Sequence, residues 1–299
     1  MECIIAATSG TAERSVIKPM RFTKMHGLGN DFIITEEPLA DSRITSSEFV
    51  RRICDRHEGI GADGLVILSS SDEADCRMTI INSDGREAES CGNALRCVAH
   101  FAHKRSYGRG THLSVETLAG VQRAQVTNTD EHTSTVEVDM GYPLLEPGDF
   151  PATLPGPGPV LAESVTTAYG IYKVALVRVG VPHVVIFMDD VSAVDLAKEG
   201  KALEQHPLFP AGANVNFVQQ VGERRFVVRV WERGAGETMA CGTGACSVAV
   251  AAILLGRATK QVLVSLPGGE LDISWTPGSS VIMRGPAVEV FTGQYHWQE

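Results

Sequence analysis

The chain has 299 residues, 43% of them hydrophobic, and a formal charge of −10, with a mean hydropathy of +0.02. Such a length allows about two domains, the acidic balance excludes nucleic acid and anionic membrane as main partners, and no apolar run reaches membrane-spanning length. Seven cysteines are too few and too odd in number for a disulfide scaffold, and the apolar patch in MECIIAATSG is too short for a secretory leader, so a cytoplasmic setting with free thiols is expected.

Residues 1–19 precede the first β-rich segment and an alternative initiator, Met20, and read as an extension. RFTKMH and DFIITEE predict strands, and Ser46–His57 a helix whose SSEFVRR start places Glu48 early and basic residues after it. GLVILSS and CRMTII are strand-like, Asn93–Ser106 helical, and HLSVET, VQRAQVT and STVEVDM strand-like again. The Pro-rich stretch from Glu146 to Pro159 predicts a surface excursion. IYKVALVRV and HVVIFM lead to a helix over Val191–His206, then ANVNFVQQ, RFVVRVW, a helix over Thr243–Arg257, and finally VLVSLP, LDISW, VIMRG and AVEVFTG. Many short strands with two helices per half predict an α+β protein, antiparallel or mixed sheet curled around a helix, rather than a doubly wound parallel sheet.

Two stretches share one grammar. INSDGREAESCGNALRC and VWERGAGETMACGTGAC each run from a β-rich segment through a Gly-containing turn to Cys-Gly and an apolar helix. Aligning Cys91 with Cys241 puts Glu87 over Glu237, Asn93 over Thr243 and Asn82 over Glu232. Strand–turn–Cys-Gly–helix units half a chain apart predict an internal duplication, with domains 1–138, joined by a returning 286–299, and 139–285.

The chemistry follows from the duplicated thiols. Cys91 to Cys97 and Cys241 to Cys246 do not have zinc-ribbon spacing, and the Gly-rich segments lack the P-loop Lys-Ser/Thr and a dinucleotide context. No metal or organic cofactor is implied. Two cysteines at facing helix N-termini suit removal of a proton from one face of a carbon and delivery of another to the opposite face. Helix-start N–H groups at Gly92, Asn93, Gly242 and Thr243 suit the carboxylate of an α-amino acid substrate, Glu232 its ammonium, and Arg233 a second carboxylate. Two alternatives share these residues: a racemase for another amino acid, and an acyl transferase with Cys241 as nucleophile beside His183.

KMHGLGNDF, INSDGREAESCGNALRC, ANVNF and WERGAGETMACGTGACSVAV, in that order, resemble the diaminopimelate epimerase family from about Met20 to the closing GPAVEVFTG. The resemblance implies two similar domains, each a barrel-like sheet around a central helix, with substrate between them. It also implies a cofactor-independent interconversion of LL- and meso-2,6-diaminopimelate, in lysine and peptidoglycan synthesis, by an enzyme that is often a homodimer. It makes Cys91 and Cys241 the acid/base pair, supported by His183 and Glu232. Asn30, Asn82, Gly92, Asn93, Asn214, Glu232, Arg233, Gly242 and Thr243 become substrate contacts. Two departures fall on the distal end of the substrate: Gly180-Val181-Pro182-His183 where many members read GNPH, and Gly61-Ala62-Asp63-Gly64 where GFDQ is common.

Overall fold

The computed structural model describes residues 19–36, 44–108, 110–150, 152–154 and 156–296; the expected extension, Pro19 apart, lies outside them. The first half runs β1 (Met20–Gly27), β2 (Asn30–Thr35), α1 (Ser47–Cys54), β3 (Gly64–Ser69), β4 (Cys76–Asn82), β5 (Glu87–Ala88), α2 (Gly92–Lys104), β6 (His112–Thr117), β7 (Gly120–Thr129) and β8 (Thr133–Asp139). The second runs β9 (Glu163–Thr167), β10 (Gly170–Val179), β11 (Val181–Met188), α3 (Leu196–Glu204), β12 (Asn214–Gln220), β13 (Arg225–Glu232), β14 (Gly236–Glu237), α4 (Gly242–Leu254), β15 (Gln261–Leu266), β16 (Gly269–Ser274) and β17 (Ile282–Tyr295).

The order β1-β2-β3-β4-β6-β7-β8-β17 closes on itself as a barrel, since β17 pairs with both β8 and β1. Its two parallel pairs, β2–β3 and β4–β6, recur as β11–β12 and β13–β15 in the second sheet, β10-β11-β12-β13-β15-β16-β17. There Leu144 bridges back to Arg178 of β10. The registers repeat as well: Ile81 faces Glu87 where Trp231 faces Glu237, and Phe32 faces Gly64 where His183 faces Asn214. The duplication is therefore present residue by residue in the ladders.

Burial explains the layers. No residue of α4 carries a charge, and a helix apolar on every side belongs inside a core. Leu95, Val98 and Phe101 of α2 and Val248, Ala249 and Val250 of α4 are buried in one cluster with the inward strand residues Val126, Val136, Val264 and Ile273. The other two helices cover the outer sheet faces. Val50 and Ile53 of α1 pack with Ile33, Leu65 and Ile67, and Leu196 and Leu203 of α3 with Val184, Ile186 and Phe217.

The Ser46 side chain caps α1 by accepting the Phe49 N–H, and the helix ends at Cys54, one turn before His57. The single helix expected over Val191–His206 is two pieces: Asp190 caps a 3-10 turn over Val191–Ala193, Val194 is extended, and Asp195 caps α3 afresh. Aspartates that hydrogen-bond their own following backbone interrupt a helix in this way. The Pro-rich stretch is anchored inward at Phe150, which meets Phe209 edge-on at 5.8 Å. VIMRG and AVEVFTG form one strand, β17, continuous through Pro286. No helix among the described residues is long and apolar enough to cross a membrane.

Candidate active site

The two strand–turn–cysteine units end alike. The chain leaves β5 for Cys91, N-cap of α2 with φ −147° and ψ 117°, and leaves β14 for Cys241, N-cap of α4 with φ −125° and ψ 108°. Neither cysteine side chain caps its helix, so the first-turn N–H groups can serve an anion. Gly92 and Gly242 open the helices over one shared side chain. A Cβ at Gly92 would lie 2.9 Å from Met283 Cε, and one at Gly242 3.0 Å from Met283 Sδ. Asn93 Nδ2 donates to Ala240 O at 3.4 Å, joining the start of α2 to the residue before Cys241.

Around Cys91 the partners are amides. Its sulfur lies 3.8 Å from Asn30 Oδ1, which also accepts from Asn93 Nδ2 at 3.0 Å. Asn30 is oriented from behind, donating Nδ2 to Asp63 Oδ2 at 2.7 Å, while Arg56 holds the other Asp63 oxygen at 2.7 Å. Burial pushes the Cys91 thiol up; the N–H groups of Ala94 and Asn93 oppose that rise, Glu232 adds to it, and Arg96 opposes it. Arg96 is itself fully buried, with Nε donated to Pro286 O at 3.0 Å.

Around Cys241 the partners are ionisable or hydroxylic. The thiol is 4% exposed and donates to Glu232 Oε2 at 3.3 Å, with Thr243 Oγ1 at 3.5 Å. Glu232 Oε1 accepts from Thr238 Oγ1 at 2.5 Å. Burial first, and then the Glu232 charge, push this thiol well above the ordinary cysteine value, while Thr243 and the Gly244 N–H pull it down. His183 Nε2 meets Thr243 Oγ1 at 2.9 Å, and Asn216 Nδ2 meets His183 Nδ1 at 3.1 Å. Burial holds this imidazole at about 3, so it is neutral. Thr243 stands between His183 and Cys241, interrupting the direct pairing that an acyl-transfer mechanism would use.

Toward the expected distal end, Asn214 Oδ1 accepts the Arg233 N–H at 2.8 Å and its Nδ2 donates to Pro182 O at 3.2 Å. The Arg233 guanidinium donates to Ala211 O at 2.8 Å and has no carboxylate partner among the described residues. Asn82 ends β4 exposed, and its side chain makes no hydrogen bond among the described residues. Val181 is 39% exposed, and a Cβ at Gly64 would lie 2.9 Å from Ile81 O. Among the described residues no group of three or more His, Cys, Asp or Glu side chains could hold a metal. Three contributors were not singled out as site residues from sequence: Asp63, within GADG; Asn216, within ANVNF; and Met283, for which no motif exists.

The sequence profile of the diaminopimelate epimerases matches residues 22–145 and 175–290. The chain belongs to the diaminopimelate epimerase family. A diaminopimelate epimerase from Pelotomaculum thermopropionicum is 46% identical over 282 residues, 93% of this chain and 100% of that relative. One from Desulforudis audaxviator is 48% identical over 280 residues, 92% of this chain and 99% of that relative. A hydroxyproline epimerase from Agrobacterium vitis superposes with a TM-score of 0.67 over 94% of this chain and 93% of its own, at 17% identity, a likeness of fold. In this member of the diaminopimelate epimerase family, then, two half-sites carry one thiol each and differ in what surrounds it.

Proposed function

We propose that this chain interconverts LL- and meso-2,6-diaminopimelate, one cysteine removing the α-proton and the other returning a proton to the opposite face of the same carbon. The observation that carries the reading is the convergence of Cys91 and Cys241 at two helix starts seated on Met283 and joined through Asn93. The substrate α-carboxylate lies against the N–H groups of Gly92-Asn93 and Gly242-Thr243, which take up the charge developed as the C–H bond breaks. Whichever sulfur is thiolate accepts the proton and the opposing thiol gives one up, so the reverse reaction runs with the two states exchanged. Glu232 supports Cys241 and meets the α-ammonium, and His183 supports the same thiol through Thr243. Asn30, Asn82 and Asn214 orient the substrate, and Arg233 receives the distal carboxylate. The protein works as a homodimer, a reading supported by residues 291–295 of β17, whose one strand partner among the described residues is β1, and by the exposed side chains of Val290 and Phe291; light scattering should give twice 32.0 kDa.

A second reading is supported by Val181 and Gly64, where no side-chain amide is offered to a distal group: the same chemistry on a monocarboxylic amino acid. Incubation in deuterated water under reducing conditions separates the two. Fast α-deuteration with LL-to-meso conversion, and none on a panel of monocarboxylic L-amino acids, is expected; preferential exchange of a monocarboxylic acid would replace the substrate, and no exchange at all would overturn the two-thiol reading.

A further inference from the structure

We propose that Asn216 is a positioning residue for the reaction: it fixes the tautomer of His183 and, through it, turns the Thr243 hydroxyl so that its hydrogen points at Cys241. The inference rests on the two-thiol reading above, and it follows from the direction in which each hydrogen bond must run. Asn216 is fully buried on β12. Its Nδ2 lies 3.2 Å from Val184 O, and a carbonyl can only accept, so the NH2 end of the amide faces that way. The same NH2 lies 3.1 Å from His183 Nδ1, which must therefore accept and carry no hydrogen. In a neutral imidazole the proton is then on Nε2, which donates to Thr243 Oγ1 at 2.9 Å. The hydroxyl, already accepting from His183, has its own hydrogen to give, and since the Cys241 thiol hydrogen is directed to Glu232, or is gone in the thiolate, that hydroxyl hydrogen serves the Cys241 sulfur, 3.5 Å away.

Two further observations tie the device to this site. A Cβ at Gly244 would stand 2.6 Å from Asn216 Oδ1 and 3.3 Å from His183 Cε1, so the second glycine of Cys-Gly-Thr-Gly is what lets the amide and the imidazole pack beneath the helix start. The other half-site has no counterpart. Matched registers put Phe32 at the position of His183, and two residues along the next strand Val66 stands where Asn216 does. Among the described residues the Cys91 half thus has no equivalent relay, so although Glu232 opposes both thiolates, the Thr243 donor stabilises that of Cys241 alone. The relay favours the thiolate of Cys241 when that residue has to act as base.

The test uses the full chain and needs no substrate. Nitrogen-15 correlation spectra, with His183→Gln to assign the ring, should show His183 as the Nε2–H tautomer; an Nδ1–H tautomer in the unmodified protein would overturn the proposal outright. Iodoacetamide alkylation followed against pH, with peptide mass mapping, reads the two thiols separately. Asn216→Leu and Thr243→Val should each move the Cys241 profile up by roughly one pH unit, making its alkylation about tenfold slower below the midpoint. Both should leave Cys91 in place, and Thr243→Ser should restore the profile. A shift of both thiols together, or of neither, means Asn216 only packs. Should Asn216→Leu fail to fold, the tautomer and the Thr243 pair still decide. Absence of diaminopimelate epimerisation in the unmodified chain, with the Cys241 shift in the variants intact, would count against the substrate reading and not against this relay.

Discussion

Cys241 donates to a carboxylate at 3.3 Å whereas Cys91 has amides and, further off, a buried arginine, so two residues related by duplication are not interchangeable. Replacing either by alanine removes one half of a proton relay that has no substitute, and turnover should fall by about a thousandfold or more; a steady-state assay showing near-normal epimerisation by Cys91→Ala or Cys241→Ala would remove that residue from the acid/base pair. Burial raises both thiols above the ordinary value, so at neutral pH the thiolate is the scarce form. The acid limb of kcat/KM should accordingly lie above pH 7 and rise into the alkaline range; a plateau already reached at pH 6 would contradict it. At the distal end, Arg233→Lys keeps the charge and loses the planar fork, and KM for diaminopimelate should rise about tenfold with kcat little changed. The cysteines were legible because they carry a repeated motif with a chemical meaning. Asn216 and Asp63 were not, since a residue that orients another is visible only once the strands bring β11, β12 and α4 together.

Gly268, in the turn between β15 and β16, shows what holds the elements of the two halves against each other. Its N–H donates to Met239 O at 2.8 Å, two residues before Cys241, and a Cβ there would lie 2.0 Å from Leu28 O. Leu28 is itself held at φ 59° in the turn that presents Asn30. The equivalent turn in the first half places Ala119, whose N–H donates to Glu89 O at 3.2 Å while its side chain stays exposed. Gly268→Ala should therefore cost about 1–3 kcal/mol of stability and lower kcat by displacing the Leu28 turn, whereas Ala119→Gly should change stability by only a few tenths of that cost; urea midpoints and initial rates on both variants check the contrast, and a harmless Gly268→Ala would show that the contact yields. Elements with a clear pattern were readable, including α2, most strands and α4, the last by its unbroken run of small apolar residues after Cys-Gly and not by periodicity. β9, with Val165 as its one buried residue, carries too little alternation to be seen. β17 reads as two pieces because Pro286 lacks an N–H, yet its carbonyl is used by Arg96 and the ladder with β8 runs through it.

At the scale of the whole molecule, β17 makes the two halves one object: Ile282 pairs with Ser274 in the second sheet and Tyr295 with Met20 in the first. Closure of this kind cannot be read from local pattern, because it depends on which distant edges meet; the duplication predicts two like halves, and barrel-like sheets enter only as what the family resemblance implies. The consequence for stability lies in the charge-poor interior around α2 and α4. His100 is fully buried, with Nδ1 at 2.7 Å from Ser134 Oγ and Nε2 without a hydrogen-bond partner among the described residues. Burial, assisted by Lys104 and opposed by Glu289 on β17, lowers its imidazole from 6.5 to about 4. The unfolded chain takes up this proton below about pH 6.5 and the native chain only near pH 4, so between those values the unfolded state binds more protons. The stability contributed by neutral His100 is complete above pH 6.5, shrinks as the pH falls through that window, and shows no further loss below it. From pH 7 to pH 5 the loss should amount to about 2 kcal/mol for this one residue. Urea unfolding of the unmodified protein and of His100→Gln at both pH values isolates the effect: the variant, whatever its absolute stability, should lose about 2 kcal/mol less across the interval, and an equal loss in both proteins would show that His100 titrates in the native state much as it does in the unfolded chain.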